Sequence, residues 1–534
     1  MPSVTVSQTG EKINCSENAN LLRTLLDAGV FVDNPCNGTG VCGKCKVKIV
    51  SGQVSEVSET EKKFISTQEQ KDGIRLSCMT EILGDVIVEP LQTERKHKVL
   101  TEGILPEFEK DPYDRGYGVA VDIGTTTVVT SLIDMRTGKE LASASMINAQ
   151  KHFGLDVLTR ITYEYEHPDT GISELQKAIV DSLNDMIEEV CEKESVNPNE
   201  IVEIDVAANC TMMHMLLGVD ARSIGRSPYK PEFLEAQKLF AKGIGLHAGE
   251  DTVLYCLPQV SAYIGADIVA GAYVCQLKKE TGNVLFIDIG TNGEIVLSNN
   301  GRLLCCSCAA GPALEGMNIS SGMRAAEGAI EDVQIGEDGI RLTTIGEQKP
   351  AGVCGSGILA VVKELLRTGI VKKTGAFIKK EKLKETDYRY SLIRMNGTKR
   401  EFVLCEEPEI IVTQGDVRQV QLAKGAILSG FTALLNKAGI GMEELDKVMI
   451  AGQFGAHLPA ESLTGTGILP KEVEEKLVYV GNSSKTGAYM TLMSEKIKTE
   501  VEKLAKEMEY MELAETENYE RIFAESMIFP KFSV

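Results

Sequence analysis

Two stretches of this chain, residues 119–133 and 285–298, match each other: an apolar strand closes on Asp-Ile-Gly-Thr and turns at once into a second apolar strand. In each copy the first strand ends on a carboxylate, Asp122 or Asp288, suited to orienting a hydrated Mg²⁺. The residues that follow are Gly124, Thr125 and Thr126 in one copy and Gly290, Thr291 and Asn292 in the other. They offer backbone N–H groups and side-chain donors to phosphate oxygens. One such turn occurs in many plain hairpins; two in one chain point to facing loops that clamp a single nucleotide. Helical periodicity over residues 172–191, 358–367 and 417–437, with strands over 202–207 and 447–451, supplies the α/β alternation around them.

A different chemistry is written near the amino terminus. Cys36, Cys42 and Cys45 share one glycine-rich loop, and Cys78 follows at a distance. Thiolate is the soft ligand that iron–sulfur clusters require, and this spacing lets one loop hold three corners of a [2Fe–2S] cluster while Cys78 closes the fourth. Gly38, Gly40 and Gly43 allow the backbone to fold tightly there. Zinc sites usually show two paired C-x2-C elements, and disulfide frameworks belong to small secreted domains, so neither alternative fits as well. Strands at residues 4–6, 12–14, 46–50, 74–77 and 85–88, with a helix over 21–28 capped by Asn20, predict a β-grasp domain over residues 1–90. The spacing resembles that of adrenodoxin-type and bacterial ferredoxins.

At 534 residues with 43% hydrophobic side chains, the chain has room for three or four domains. No run of eighteen apolar residues and no secretion-signal layout is present, so a cytoplasmic protein away from membranes is expected. Fourteen cysteines without an evident framework suit a reducing compartment. A formal net charge of −21 argues against nucleic acid, whose binding rests on clustered Lys and Arg. Residues 91–116 are charged, proline-marked and without apolar period. They are expected as a linker on which an electron-carrying head meets donor and acceptor in turn.

The repeated loops resemble those of the acetate and sugar kinase, Hsp70 and actin superfamily, whose two related ribonuclease H-like lobes close on ATP. Residues 122–127 and 288–294 are similar to its two phosphate loops, and residues 450–457 to its adenosine motif, which implies a nucleotide contact at Gly452. Gly355, in the run 352–357 before a strong helix, is expected as a further glycine wall. A [2Fe–2S] head on such a body is similar to the reductive activators of corrinoid proteins in anaerobes. The motifs Gly265-Ala266-Asp267 and Ala451-Gly452-Gln453-Phe454-Gly455 agree with that family.

The resemblance implies a multidomain α+β and α/β protein. Its expected parts are a ferredoxin head (1–90), a linker (91–116), a first ATPase lobe or middle domain (117–210) and a carboxyl-terminal ATPase domain (211–534). It implies an ATP-hydrolysing activase that passes an electron from the cluster to Co(II) of a corrinoid protein, regenerating Co(I) for a methyltransferase system. ATP and Mg²⁺ would be cofactors beside the cluster, and a low-potential donor the second partner. The oligomeric state is left open, a homodimer included. Activators with carboxyl-terminal [4Fe–4S] motifs differ, since no cysteine follows Cys405. Activators of 2-hydroxyacyl-CoA dehydratases share the ATPase fold but hold a [4Fe–4S] cluster between subunits.

Glu294 or Asp267 is expected to orient the attacking water, although Asp267 has a competing role as a helix cap. Two rival functions use the same features: a small-molecule kinase with a redox-sensing head, and a non-catalytic ATP-driven assembly or regulatory factor. Cys305, Cys306 and Cys308 fall on a strand that sends Cys305 to one face and the other two to the opposite face, as buried thiols. His214, in a Met-rich helix, is read as a satisfied core histidine. Residues 494–520 are read as a solvated surface helix.

Overall fold

The computed structural model describes residues 2–28, 30, 32, 38, 40, 43–91, 103–113, 116–397, 399–452 and 458–532. The chain forms two compact units, residues 1–96 and 97–534.

In the first unit β1 (Ser3–Val6), β2 (Lys12–Asn14), the short β3 (Ala19–Asn20), α1 (Leu21–Asp27), β4 (Lys46–Val54), α2 (Thr67–Lys71), β5 (Ile74–Leu76) and β6 (Glu81–Pro90) follow in order. The sheet runs β2-β1-β6-β4-β5, with β3 against β6 and the β1–β6 pair parallel. Period-two alternation in β6 buries Ile82, Val86 and Val88 against Val4, Val6, Leu21, Leu22, Leu25, Val47 and Leu76. Each such side chain taken from water contributes about 1.5–3 kcal/mol, which is how a small unit closes over one helix.

The second unit carries the duplication further than the repeated motif. Its first half contains β7 (Tyr117–Ile123), β8 (Thr127–Asp134), β9 (Lys139–Ile147), α3 (Val157–Glu166), α4 (Gly171–Glu194), β10 (Ile201–Ala208), α5 (Cys210–Leu217), β11 (Gln237–Phe240), β12 (Val253–Cys256) and α6 (Ala266–Val274). Its second half opens with β13 (Asn283–Ile289), β14 (Gly293–Asn299) and β15 (Arg302–Cys308). An insertion follows, made of β16 (Ala329–Gly336), β17 (Gly339–Thr344), β18 (Gly352–Val353), α7 (Gly355–Arg367), α8 (Tyr388–Leu392), β19 (Ile393–Asn396), β20 (Lys399–Cys405) and β21 (Ile410–Thr413). Then come α9 (Gln414–Ala438), β22 (Lys447–Ala451), α10 (Ala460–Thr466), β23 (Leu477–Gly481), α11 (Ser483–Leu492), α12 (Glu495–Glu507), β24 (Glu509–Tyr510) and α13 (Tyr519–Ser526).

The sheets read β11-β12-β10-β7-β8-β9 and β23-β22-β13-β14-β15-β24. In both, the motif-bearing hairpin pairs antiparallel with the next strand and parallel with a fourth and fifth. A long helix covers the hairpin side of each sheet, α4 on β8 and β9, α9 on β14 and β15.

Three expectations change. Because β12 pairs with β10, the first lobe continues past residue 210, and the division follows the sheets to the stretch between α6 and β13. Within the segment expected as a linker, residues 92–102 lie outside the described residues. Residues 103–113 lie on the second unit: the Ile104 N–H donates to Val480 O (2.9 Å) and the Glu495 N–H to Asp111 Oδ2 (2.7 Å). Residues 494–520 are not one solvated helix. Ile497, Val501, Leu504 and Ala505 bury one face of α12, and β24 then adds to the edge of β15. Lys498 is buried with them, paired to Glu203 and Glu495.

Candidate functional site: a cysteine loop and an acidic nucleotide cleft

In the first unit Cys36 and Cys42 lie outside the described residues. Cys45 and Cys78, both buried, are brought together by Ser77, whose N–H (2.9 Å) and hydroxyl (3.0 Å) both donate to Cys45 O. Asn20 serves two ends at once: its Oδ1 accepts the Arg23 N–H and caps α1, while its Nδ2 donates to Cys78 O at 2.8 Å. Ahead of Cys78, Arg75 grips the buried Glu61 with two bonds of 2.9 Å, and the Leu76 N–H joins the same carboxylate. Gly43 has φ of +66°, and a Cβ there would stand 2.7 Å from the Phe64 ring, so only glycine lets the loop pass. A buried thiol pair under a cradle that a Cβ would fill suits a cluster held by four thiolates.

In the second unit one cleft is lined by Asp122, Gly124, Thr125, Thr126, Asp288, Gly290, Thr291, Asn292, Asp267, Glu294 and Gly452. The two hairpins deliver the loop residues from equivalent places in the two sheets, and Asp267 arrives on the first turn of α6. Gly452, at the end of β22 with φ of +87°, must be glycine because a Cβ would stand 2.4 Å from Asp288 Oδ1. Residues 453–457 of the adenosine motif lie outside the described residues. Gly355 does not line the cleft. It opens α7 and packs against the 3-10 turn Pro312–Glu315 that follows β15, where a Cβ would stand 1.7 Å from Leu314 O.

Carboxylates dominate this cleft, and their electrostatics follow. Burial, then the charges of Asp288 and Asp122, push Asp267 up to about 8. Asp288 rises to about 7, by burial first and Asp122 second. Glu294 lies well above the carboxylate range through burial and the charges of Asp267 and Asp288. Asp122 is raised by burial, but the Ser484 hydroxyl (2.7 Å) and Asn482 Nδ2 (2.9 Å) donate to it, and Lys485 draws it back. Protonation or a bound cation relieves such a group of half-buried acids. Among the described residues no three ligating side chains converge on a bare ion. Asp122 and Asp288 are the carboxylates that could orient a hydrated Mg²⁺, an ion bound through one or two carboxylates plus phosphate oxygens.

Asp267 does not cap α6, whose N-cap is Gly265 with no side-chain cap bond; it stands in the first turn, where its Oδ1 accepts the Ile268 N–H at 2.9 Å while the side chain lines the cleft. Several residues here escaped the sequence reading. Asn209 and Asn482 each cap a helix with Oδ1 and reach the first loop with Nδ2, at Thr125 Oγ1 (3.0 Å) and Asp122 respectively. Asn148 Nδ2 donates to Gly124 O (2.9 Å) and Arg160 Nη2 to Thr125 O (2.5 Å), satisfying the loop's carbonyls. Glu315 accepts from the hydroxyls of both Thr126 (3.1 Å) and Thr291. The only signal for the two asparagines is their place at strand-to-helix junctions; Glu315 had none.

The three cysteines of β15 are core residues: Cys305 packs with the first-lobe core and Cys306 and Cys308 with the second, their thiols pushed up by burial. His214 is fully buried, with Nδ1 at 2.8 Å from Cys210 O, Nε2 accepting the Glu232 N–H, and its ring stacked on Phe233.

Residues 282–534 match the family described as the C-terminal domain of RACo, the ASKHA domain; residues 117–280 match the RACo middle region, and residues 4–83 the 2Fe-2S iron-sulfur cluster binding domain. The chain is 35% identical over 411 residues to the corrinoid activation enzyme RamQ of Eubacterium limosum, covering 75% of this chain and 68% of that one. It is 24% identical over 440 residues to the Co(II) methylated amine-specific corrinoid protein reductase of Methanosarcina barkeri, covering 76% of each. A solved reductive activator for corrinoid, iron-sulfur protein superposes with a TM-score of 0.69 at 31% identity over 99% of both chains. Head, repeated loops and length all agree, and the chain belongs to the family of reductive activators of corrinoid proteins.

Proposed function

We propose that this reductive activator hands single electrons to the Co(II) of a corrinoid protein and drives that transfer with Mg-ATP held between the Asp122 and Asp288 loops. The observation that carries the nucleotide half is the pairing of two Asp-Ile-Gly-Thr hairpins, at equivalent positions of two like-ordered sheets, on one cleft. Cys36, Cys42, Cys45 and Cys78 would hold the [2Fe–2S] cluster. When bound, it supplies a one-electron couple, near about −400 mV for plant-type centres. A Co(II) acceptor lower in potential makes the transfer uphill, by roughly 2.3 kcal/mol per electron for each 100 mV. Nucleotide binding that favours one lobe arrangement over another is a source of that size.

On this reading Asp122 and Asp288 orient hydrated Mg²⁺, while Gly124, Thr125, Thr126, Gly290, Thr291 and Asn292 hold phosphate oxygens. Gly452 lets the base-side strand approach. Glu294 or Asp267, which both line the cleft, would orient the attacking water. The donor is a low-potential electron carrier, and the setting is the cytoplasm, in keeping with twelve described cysteines of which none is in a disulfide.

Crossed variants test the assignment. Cys45→Ala is expected to remove the visible-region iron–sulfur spectrum and Co(I) formation while leaving Mg-ATP binding. Asp288→Ala is expected to do the reverse for nucleotide while keeping the spectrum. Co(I) formation by the cysteine variant at the wild-type rate would overturn the reading.

A further inference from the structure

We propose that Glu315 is a clasp across the two lobes that the terminal phosphate of the nucleotide must displace. Thr126 belongs to the first phosphate loop and Thr291 to the second, and both hydroxyls donate to this one carboxylate. A hydroxyl has a single proton, so neither can donate to Glu315 and to phosphate together. A phosphate placed between the loops carries only acceptor oxygens and negative charge. Glu315 and the terminal phosphate therefore compete for the same two donors, and each repels the other.

Glu315 lines the cleft beside both loops. It ends the 3-10 turn Pro312–Glu315, flanked by Gly311 at φ of +75° and Gly316 at φ of +76°. Glu315 is 3% exposed and lines the cleft, yet its side-chain bonds run to the two threonines that the phosphates need. Burial pushes the Glu315 carboxyl up, against the Thr291 hydroxyl and Arg324, which favour its charge, and Arg324 is the group toward which a displaced carboxylate would turn. A diphosphate that does not reach the threonines leaves the clasp shut, whereas a triphosphate opens it. The lobes would thus distinguish ATP from ADP through one side chain.

This inference rests on the nucleotide reading of the cleft, and the test separates the two. Wild type, Glu315→Ala and Glu315→Gln full-length proteins are titrated by calorimetry with Mg-ADP and with a non-hydrolysable Mg-ATP analogue, after melting curves establish that each is folded. Removal of the competitor is expected to tighten the triphosphate analogue by about tenfold in Glu315→Ala, by less in Glu315→Gln, and to leave Mg-ADP within about twofold. A wild type that binds neither nucleotide overturns the cleft reading and the clasp together. A wild type that binds, with Glu315→Ala unchanged, weaker, or tightened equally for both nucleotides, overturns the clasp alone. Unchanged binding with lost turnover in Glu315→Gln would make Glu315 a water-orienting group and likewise overturn it.

Discussion

The two phosphate loops share a motif and a topology but differ in how their carboxylates are held. Asp122 accepts from Asn482 and Ser484 and feels Lys485, and its loop is further tied by Asn148, Asn209 and Arg160. Among the described residues the Asp288 carboxylate has no hydrogen bond of this kind, and its nearest charges are acids. Burying an acid among acids is unfavourable unless a cation arrives. Among the described residues the first loop is therefore the more heavily tied half, and on the proposed reading a metal-bound nucleotide completes the second.

The largest effect that would break this contrast is expected at Asp288. Asp288→Asn should lower Mg-ATP-dependent turnover by about 100-fold, yet raise the melting temperature of metal-free protein at pH 8, because it removes a charge the fold accommodates poorly. Asp122→Asn should give a smaller gain in stability, since an amide cannot accept from both Asn482 and Ser484. If the two variants stabilise equally, the contrast fails.

A pH series sharpens the same point. In protein stripped of divalent ions and nucleotide, Asp288 and Asp267 titrate at about 7 and about 8 when folded, against 3.8 as the ordinary value. A folded value above the unfolded one means that the native state retains protons the unfolded chain has released. Stability is then fullest below pH 4 as far as these groups decide, and falls as pH rises through 7 to 8. Melting curves from pH 5 to 9 should show that decline, and Mg²⁺ with nucleotide should flatten it. Smaller again is Asn482→Ala: loss of the α11 cap costs about 1 kcal/mol by denaturant titration, with a loss of roughly tenfold in Mg-nucleotide affinity as Asp122 is released. Least is Asn209→Ala, expected to cost about 1 kcal/mol from the α5 cap with a minor change in affinity.

What could be read from sequence was local. The strand-turn-strand copies lie within single stretches, and both loops and their acids meet in the cleft as the motif implied. The β-grasp strands and the Asn20 cap were legible for the same reason. The end of the first lobe was not, because β12 joins its sheet only through pairing with β10. Asn482 and Ser484 reach Asp122, and Glu315 reaches Thr126, across long sequence separations that no spacing rule covers. Gly355 misled because glycines before a helix suit either a ligand or a close backbone approach, and here Leu314 O is the close neighbour. Residues 494–520 misled because Lys and Glu outnumber the four apolar side chains that bury α12.

The most direct test of the central claim is the absorbance of corrinoid cobalt during incubation of the purified full-length protein, a low-potential reductant and a candidate corrinoid protein, with and without Mg-ATP. The account predicts Co(II) converted to Co(I) only when protein and Mg-ATP are both present, and conversion slowed by about 100-fold with Asp288→Asn. Equal Co(I) formation without nucleotide would contradict it.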